Sequence, residues 1–95
     1  MVPSRTLERI RARVRERRYV MTLHADEEMD EDGLRITDVE NALLTGRIVR
    51  RQTDRRSRER KYLLRGRSSD DTQDVVAVVK FGPTDLLVIL TVYAD

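Results

Sequence analysis

With a single histidine and no cysteine, this chain has few ways to move a proton near neutral pH, and any route through imidazole must use His24. Glu27 and Glu28 follow it at the i+3 and i+4 positions, where a helix brings a carboxylate within reach of the ring. One His with carboxylates is a poor ligand set for a transition metal, so no metal site is expected there. The lack of cysteine removes thiolate nucleophiles, Cys-based zinc sites and disulfide frameworks. The glycine-rich phosphate loop, the dinucleotide fingerprint, the paired-histidine zinc motif and the serine nucleophile elbow do not occur either, so no cofactor is expected. One reaction class still fits the remaining residues: cleavage of RNA through its own 2′-hydroxyl. The substrate supplies the nucleophile there, and the protein need only manage protons and stabilise a charged phosphorane. His24 on a helix, Arg and Lys on strands, and Thr91 and Tyr93 near the C-terminus suffice for that.

The basic residues are distributed in a way that favours a phosphate-rich partner. Of 19 basic residues 17 are Arg, the side chain that forks onto phosphate. Net charge is only +2, but it is segregated. Residues 1–18 carry seven Arg and two Glu, residues 25–32 carry six carboxylates, and residues 47–67 carry ten basic and two acidic groups. The pattern predicts a basic face for nucleic acid or for an acidic partner chain; the alternative is mutual neutralisation of the blocks as solvated surface. Arg50, Arg51, Arg55, Arg56, Arg58, Arg60 and Lys61 are the predicted RNA-binding residues. With only Phe81 and three Tyr, a base-stacking platform is not expected.

The elements that must hold these residues follow from hydrophobic period. Ninety-five residues make one domain with one modest core. Ser4 with Leu7, Ile10 and Val14 predicts a capped amphipathic helix under an arginine face. Thr22 opens a second helix in which Leu23, Ala25 and Met29 can bury, and Gly33 ends it. Thr37 and Glu40 have capping-box spacing for a third, with Val39, Leu43 and Leu44 as its stripe and Gly46 at its end. After Gly46 the pattern shifts to runs rich in β-branched and aliphatic residues, predicting strands over 47–52, 60–66, 74–81 and 86–93 joined by short loops. The fold class is therefore α+β, with N-terminal helices on one face of a four-stranded antiparallel meander. Strand alternation puts Lys61 and Arg65 on the face away from the helices if Tyr62 and Leu64 face them. The last strand is apolar on both faces. Val75, Ala77, Val79, Leu87 and Ile89 are expected to form a patch opposite the helices, covered by the first helix, by a homodimer partner or by another chain's segment. No stretch is long enough to span a membrane and no signal-peptide run is present, which makes the cytoplasm the expected location.

Leu23-His24-Ala25-x-x-x-Met29, then Gly33-Leu34-x-Ile36-Thr37-x-Val39-Glu40, then a strand meander ending Leu90-Thr91-Val92-Tyr93, resembles the bacterial domain-of-unknown-function 4258 family over about residues 20–93. Residues 1–18 then form a helical extension of a single domain spanning 1–95. Where that family has Arg before the Met and before the Gly, this chain has Glu28 and Asp32. The family is similar in architecture to RelE-type and BrnT-type toxins, so the resemblance implies a ribonuclease-toxin-like fold. It also implies a metal-independent endoribonuclease or translation inhibitor of a type II toxin-antitoxin pair, with an antitoxin protein as partner. His24 would be its general acid or base, Arg65 and Lys61 phosphate clamps, and Thr91 and Tyr93 orienting groups. The alternative expectation is a protein-interaction or RNA-binding module of the same fold without catalysis.

Overall fold

The computed structural model describes residues 4–95, so the first three residues of the expected helical extension lie outside the described residues. Helix α1 (Arg5–Arg15) starts at Ser4, whose hydroxyl accepts the Leu7 N–H at 3.2 Å, one of the donors that a helix start leaves free. Ile10 and Val14 are buried along its narrow stripe. Its arginines cover the edge of the core: Arg9 lies 3.7 Å from the centroid of the Phe81 ring, and Arg9 and Arg13 both pair with Asp85.

Helix α2 (Leu23–Glu31) is capped by Thr22, whose hydroxyl accepts the Ala25 N–H and donates to the Leu90 carbonyl, each at 3.1 Å. Ala25 and Met29 are buried, but Leu23 is 73% exposed, contrary to expectation. Two residues correspond to roughly 200° around a helix, so Leu23 and Ala25 cannot share a face. Gly33 follows at φ +67°, the left-handed conformation that ends many helices.

Helix α3 (Ile36–Thr45) has its N-cap two residues before Thr37, the first residue of the expected Thr37–Glu40 box. Arg35 is its N-cap residue, and the Asp38 carboxylate accepts the Arg35 N–H at 2.8 Å. The same carboxylate accepts the N–H and hydroxyl of Ser69 at 2.9 and 2.8 Å, so a tertiary contact selects this frame over the local signal. Gly46 closes the helix.

The expected four strands are present with slightly shifted ends, as β2 (Arg47–Thr53), β3 (Arg60–Arg67), β4 (Asp74–Phe81) and β5 (Leu87–Ala94). They form an antiparallel meander. A fifth strand, β1 (Tyr19–Met21), runs parallel to β5, and the mixed sheet has the order β1-β5-β4-β3-β2. Three residues are too few for a strand period to register in the sequence. The Tyr19 hydroxyl donates to Glu40 Oε2 at 2.6 Å, tying β1 to α3. Burial and the Glu40 carboxylate push the phenol up to about 12.

The two faces of the sheet also differ from expectation. Val75, Ala77, Val79, Leu87 and Ile89 belong to the core with Ile10, Ala25, Met29, Val39 and Leu43 of the helices. They do not form an outward patch. The register shifts between Val78 and Val79, where Thr91 and Ile89 are the successive β5 partners and Leu90 is left over. This bulge reverses the alternation along β5, so Val92 faces the core while Val88, Thr91 and Tyr93 face away. Helix α1 packs on the core side and does not cross to the far face. Close packing fixes the remaining geometry. A Cβ on Gly66 would lie 2.4 Å from the Ala42 carbonyl oxygen and 2.6 Å from its Cα, so α3 rests backbone to backbone on β3.

Candidate nucleic-acid interface

The sheet register arranges the outward side chains in ranks. Tyr93, Val76, Arg65 and Arg47 form one rank across β5, β4, β3 and β2, in which Val76 is itself fully buried, and Thr91, Val78, Leu63 and Arg50 form the next. Val88 beside Lys80, and Lys61 beside Gln52, extend the pattern. The outer face is therefore apolar toward β5 and basic toward β2. It places Arg65, Thr91 and Tyr93 on one surface, with Arg65 and Tyr93 separated by β4, about 10 Å at the usual strand spacing.

His24 is elsewhere. It is the second residue of α2, with a side chain 67% exposed and Nε2 3.0 Å from Glu28 Oε1. Glu28 Oε1 also accepts the Val92 N–H at 3.3 Å, and Asp32 Oδ2 accepts the Ala94 N–H at 2.7 Å. These carboxylates satisfy β5 donors past the end of β1, where the strand has no further neighbour on that side. Glu28 and Asp32 thus hold an edge together, and His24 stands beside that edge.

The basic segment lies at the other side of the sheet, in β2, β3 and their connection. Arg50, Arg51, Arg55, Arg56, Arg58 and Arg60 are exposed and Lys61 is half-buried. Among the described residues none of the seven has a carboxylate partner; Arg51 reaches the Ser4 hydroxyl at 3.2 Å and lies 5.9 Å from the Tyr62 ring centroid. The carboxylates nearest in sequence are committed elsewhere. Asp54 accepts the N–H groups of Arg56 and Ser57 at 2.8 and 3.0 Å, which hold its carboxyl below the usual range, the Ser57 bond acting most strongly. Glu59 pairs with Lys80 at 2.6 Å. Arg58 has φ 61°, so the loop turns tightly and projects its arginines into solvent. The acidic helix lies by β5 and pairs with none of them, so these two blocks do not neutralise each other by direct pairing.

Arg65 is more constrained than the sequence suggests. It pairs with Asp95 and, at 3.3 Å, with Asp74; these carboxylates, Asp95 first, raise its affinity for a proton. Arg67 pairs with Asp71 and Asp74, each at 2.8 Å, and its hydrogen bond is the main reason the Asp74 carboxyl is held low. Thr45, Gly46, Arg47, Arg65, Gly66, Arg67 and Asp74 line a cleft of about 320 Å³ at the start of β2. Two further clefts follow along the hairpin, one of about 380 Å³ bounded by Gln52, Thr53, Asp54 and Lys61, the other of about 190 Å³ lined in part by Arg51, Arg60 and Tyr62. Arg47 was not among the predicted site residues, because only strand register brings it beside Arg65. Arg67, two residues along the same strand from Arg65, was not among them either, although the strand period alone puts it on that face. Among the described residues no three His, Asp or Glu side chains group as a metal site needs, and no helix is long and apolar enough to cross a membrane.

Set against known proteins, the chain matches the family described as Domain of unknown function (DUF4258) over residues 21–94. No curated protein and no solved structure matches it.

Proposed function

Since the chain belongs to the DUF4258 family, whose description assigns no activity, we propose from its own surface that it is an RNA-acting domain of the toxin kind. The phosphate backbone lies on the β2–β3 hairpin and the basic half of the outer sheet face. The observation that carries this reading is the group of seven basic side chains, Arg50 to Lys61, without a carboxylate partner among the described residues while Asp54 and Glu59 are engaged. Guanidinium groups spread over a ribbon contact phosphates without choosing a sequence, and the scarcity of aromatic side chains favours backbone contact over base stacking.

In the catalytic form of this reading the 2′-hydroxyl of the substrate attacks the adjacent phosphorus and the 5′-oxygen leaves. His24 transfers the proton, Glu28 orients its ring, and Arg65, Thr91 and Tyr93 hold the phosphate and leaving strand. An antitoxin, in a type II pair, would cover the same basic surface. A second reading, binding without cleavage, draws support from the placement of His24 beside the β5 edge, while the basic hairpin occupies the opposite edge.

Purified protein incubated with RNA, alone and with translating ribosomes, separates the two. Under the catalytic reading wild type cleaves and His24→Ala does not, while both bind RNA alike. Binding of both without cleavage selects the second reading. Affinity should fall at least about tenfold between about 50 and 200 mM salt, as displacement of counterions from several phosphates requires. A flat salt response, or no binding at all, would remove the RNA reading.

A further inference from the structure

Across the start of β2 the sheet sets two like charges directly opposite each other. Arg47 and Arg65 are register partners, an arrangement that weakens a strand pair unless something lies between the charges. Arg67 lies next along β3 on the same cleft, so three arginines line about 320 Å³ of open space. The protein answers only part of that charge. Asp74 is shared between Arg65 and Arg67, Asp71 serves Arg67, and Asp95 serves Arg65. Arg47 has no carboxylate partner among the described residues. Asp95 itself follows the end of β5, is half exposed, and is anchored through its N–H to the Asp74 carbonyl, so its side chain can swing away without loss of a strand.

A terminal phosphate carries close to two negative charges near neutral pH and three strong acceptor oxygens. It matches paired guanidinium forks better than the exposed Asp95 carboxylate that Arg65 now holds alongside its share of Asp74. We propose that this cleft binds the terminal phosphomonoester of an RNA strand, bridging Arg47 and Arg65 and displacing Asp95. The inference rests on the RNA reading above and deepens it. RNA is favoured over other phosphorylated ligands because the next rank of the same sheet face carries Arg50, and Lys61 lies further along it, on the path of a strand leaving the cleft.

The test compares three forms of one short oligoribonucleotide, bearing a 5′-phosphate, a 3′-phosphate or neither, by fluorescence anisotropy. One phosphorylated form should bind at least about tenfold tighter than the bare strand, the value of one good charge-assisted contact. Arg47→Gln should abolish the preference, and Asp95→Asn should enlarge it. A combined Arg55→Gln, Arg56→Gln and Arg58→Gln variant should weaken all three forms alike, because it touches the hairpin only. Equal binding of the three forms by wild type would overturn the inference and leave the RNA reading intact. Tighter binding of a phosphoserine peptide than of either phosphorylated strand would also overturn it. If no strand binds, the RNA reading fails and the RNA assignment with it. Inorganic phosphate then tests the cleft alone through the side-chain Nε–H resonances of Arg47 and Arg65: a response lost in Arg47→Gln sustains a phosphate subsite, and no response removes it. Thermal melts confirm that the exposed Arg47 variant is folded.

Discussion

Asp38 has the most demanding surroundings of any carboxylate in the protein. It is 8% exposed, accepts the Arg35 N–H, and accepts both the N–H and the hydroxyl of Ser69, joining the start of α3 to the β3–β4 loop. The Arg35 bond acts most strongly and, with the two Ser69 bonds, outweighs burial, so its carboxyl titrates below the ordinary range. A depressed folded value means stability that is present above the unfolded value of about 3.9 and is lost as pH falls through the folded one. Asp38→Ala should therefore cost about 2 kcal/mol at pH 7, a fall of roughly 10 °C in melting temperature, and the gap from wild type should close on acidification below about pH 4. Thermal melts of both proteins at the two pH values check this. A gap that stays constant with pH would mean that the effect is packing and not charge.

At the level of elements, two contacts set where the outer face begins. The first is the seat of α3 on β3 at Gly66, where a side chain has no room against the Ala42 backbone. Gly66→Ala forces the helix off the strand and should cost about 2 kcal/mol, the usual size of an overpacked core. Because Gly66 adjoins Arg65 and Arg67, the same change should widen the cleft they share and alter the amide resonances of Arg47 as well as those of Ala42. Shifts confined to α3 would show that the strand does not respond. The second contact is the α2 edge, where Glu28 and Asp32 accept β5 N–H groups. It accounts for two acidic residues in positions where a basic side chain could not accept those bonds.

On the scale of the whole molecule, the core reaches beyond the segment that matches the family. Residues 21–94 include all of the meander, yet Ile10 is fully buried and Val14 nearly so, and α1 supplies both. The Arg18 carbonyl also accepts the Leu87 N–H, at the point where β1 joins the sheet. A chain starting at Tyr19 loses these and uncovers the parts of α3 and β5 against which α1 packs. Burial of an aliphatic side chain is worth roughly 1.5–3 kcal/mol, so losing two of them removes a large part of the 5–15 kcal/mol typical of a domain. That truncated chain should melt without a cooperative transition or bind a hydrophobic dye, whereas the full chain should do neither. A cooperative melt close to that of the full chain would show that α1 only decorates the surface.

The sequence by itself determined the α+β class, three helices in the right places and the four meander strands, because Ser4, Thr22, Gly33 and Gly46 punctuate helices locally and β-branched runs declare strands. It also placed Lys61 and Arg65 on the face opposite Tyr62 and Leu64, since a period of two needs no tertiary information. Several features were decided only by the fold. A three-residue strand such as β1 has no period to read, and it exists because β5 offers an unpaired edge. The start of α3 follows Ser69, which is 31 residues away from Asp38. The outward turn of Thr91 with Tyr93, and the inward turn of Val92, depend on one extra residue at Leu90, and a one-residue slip reverses every side chain that follows. The meeting of Arg47 with Arg65, and the distance of both from His24, depend on strand order. Local spacing constrains residues a few positions apart, and register alone brings together those that are far apart in the chain.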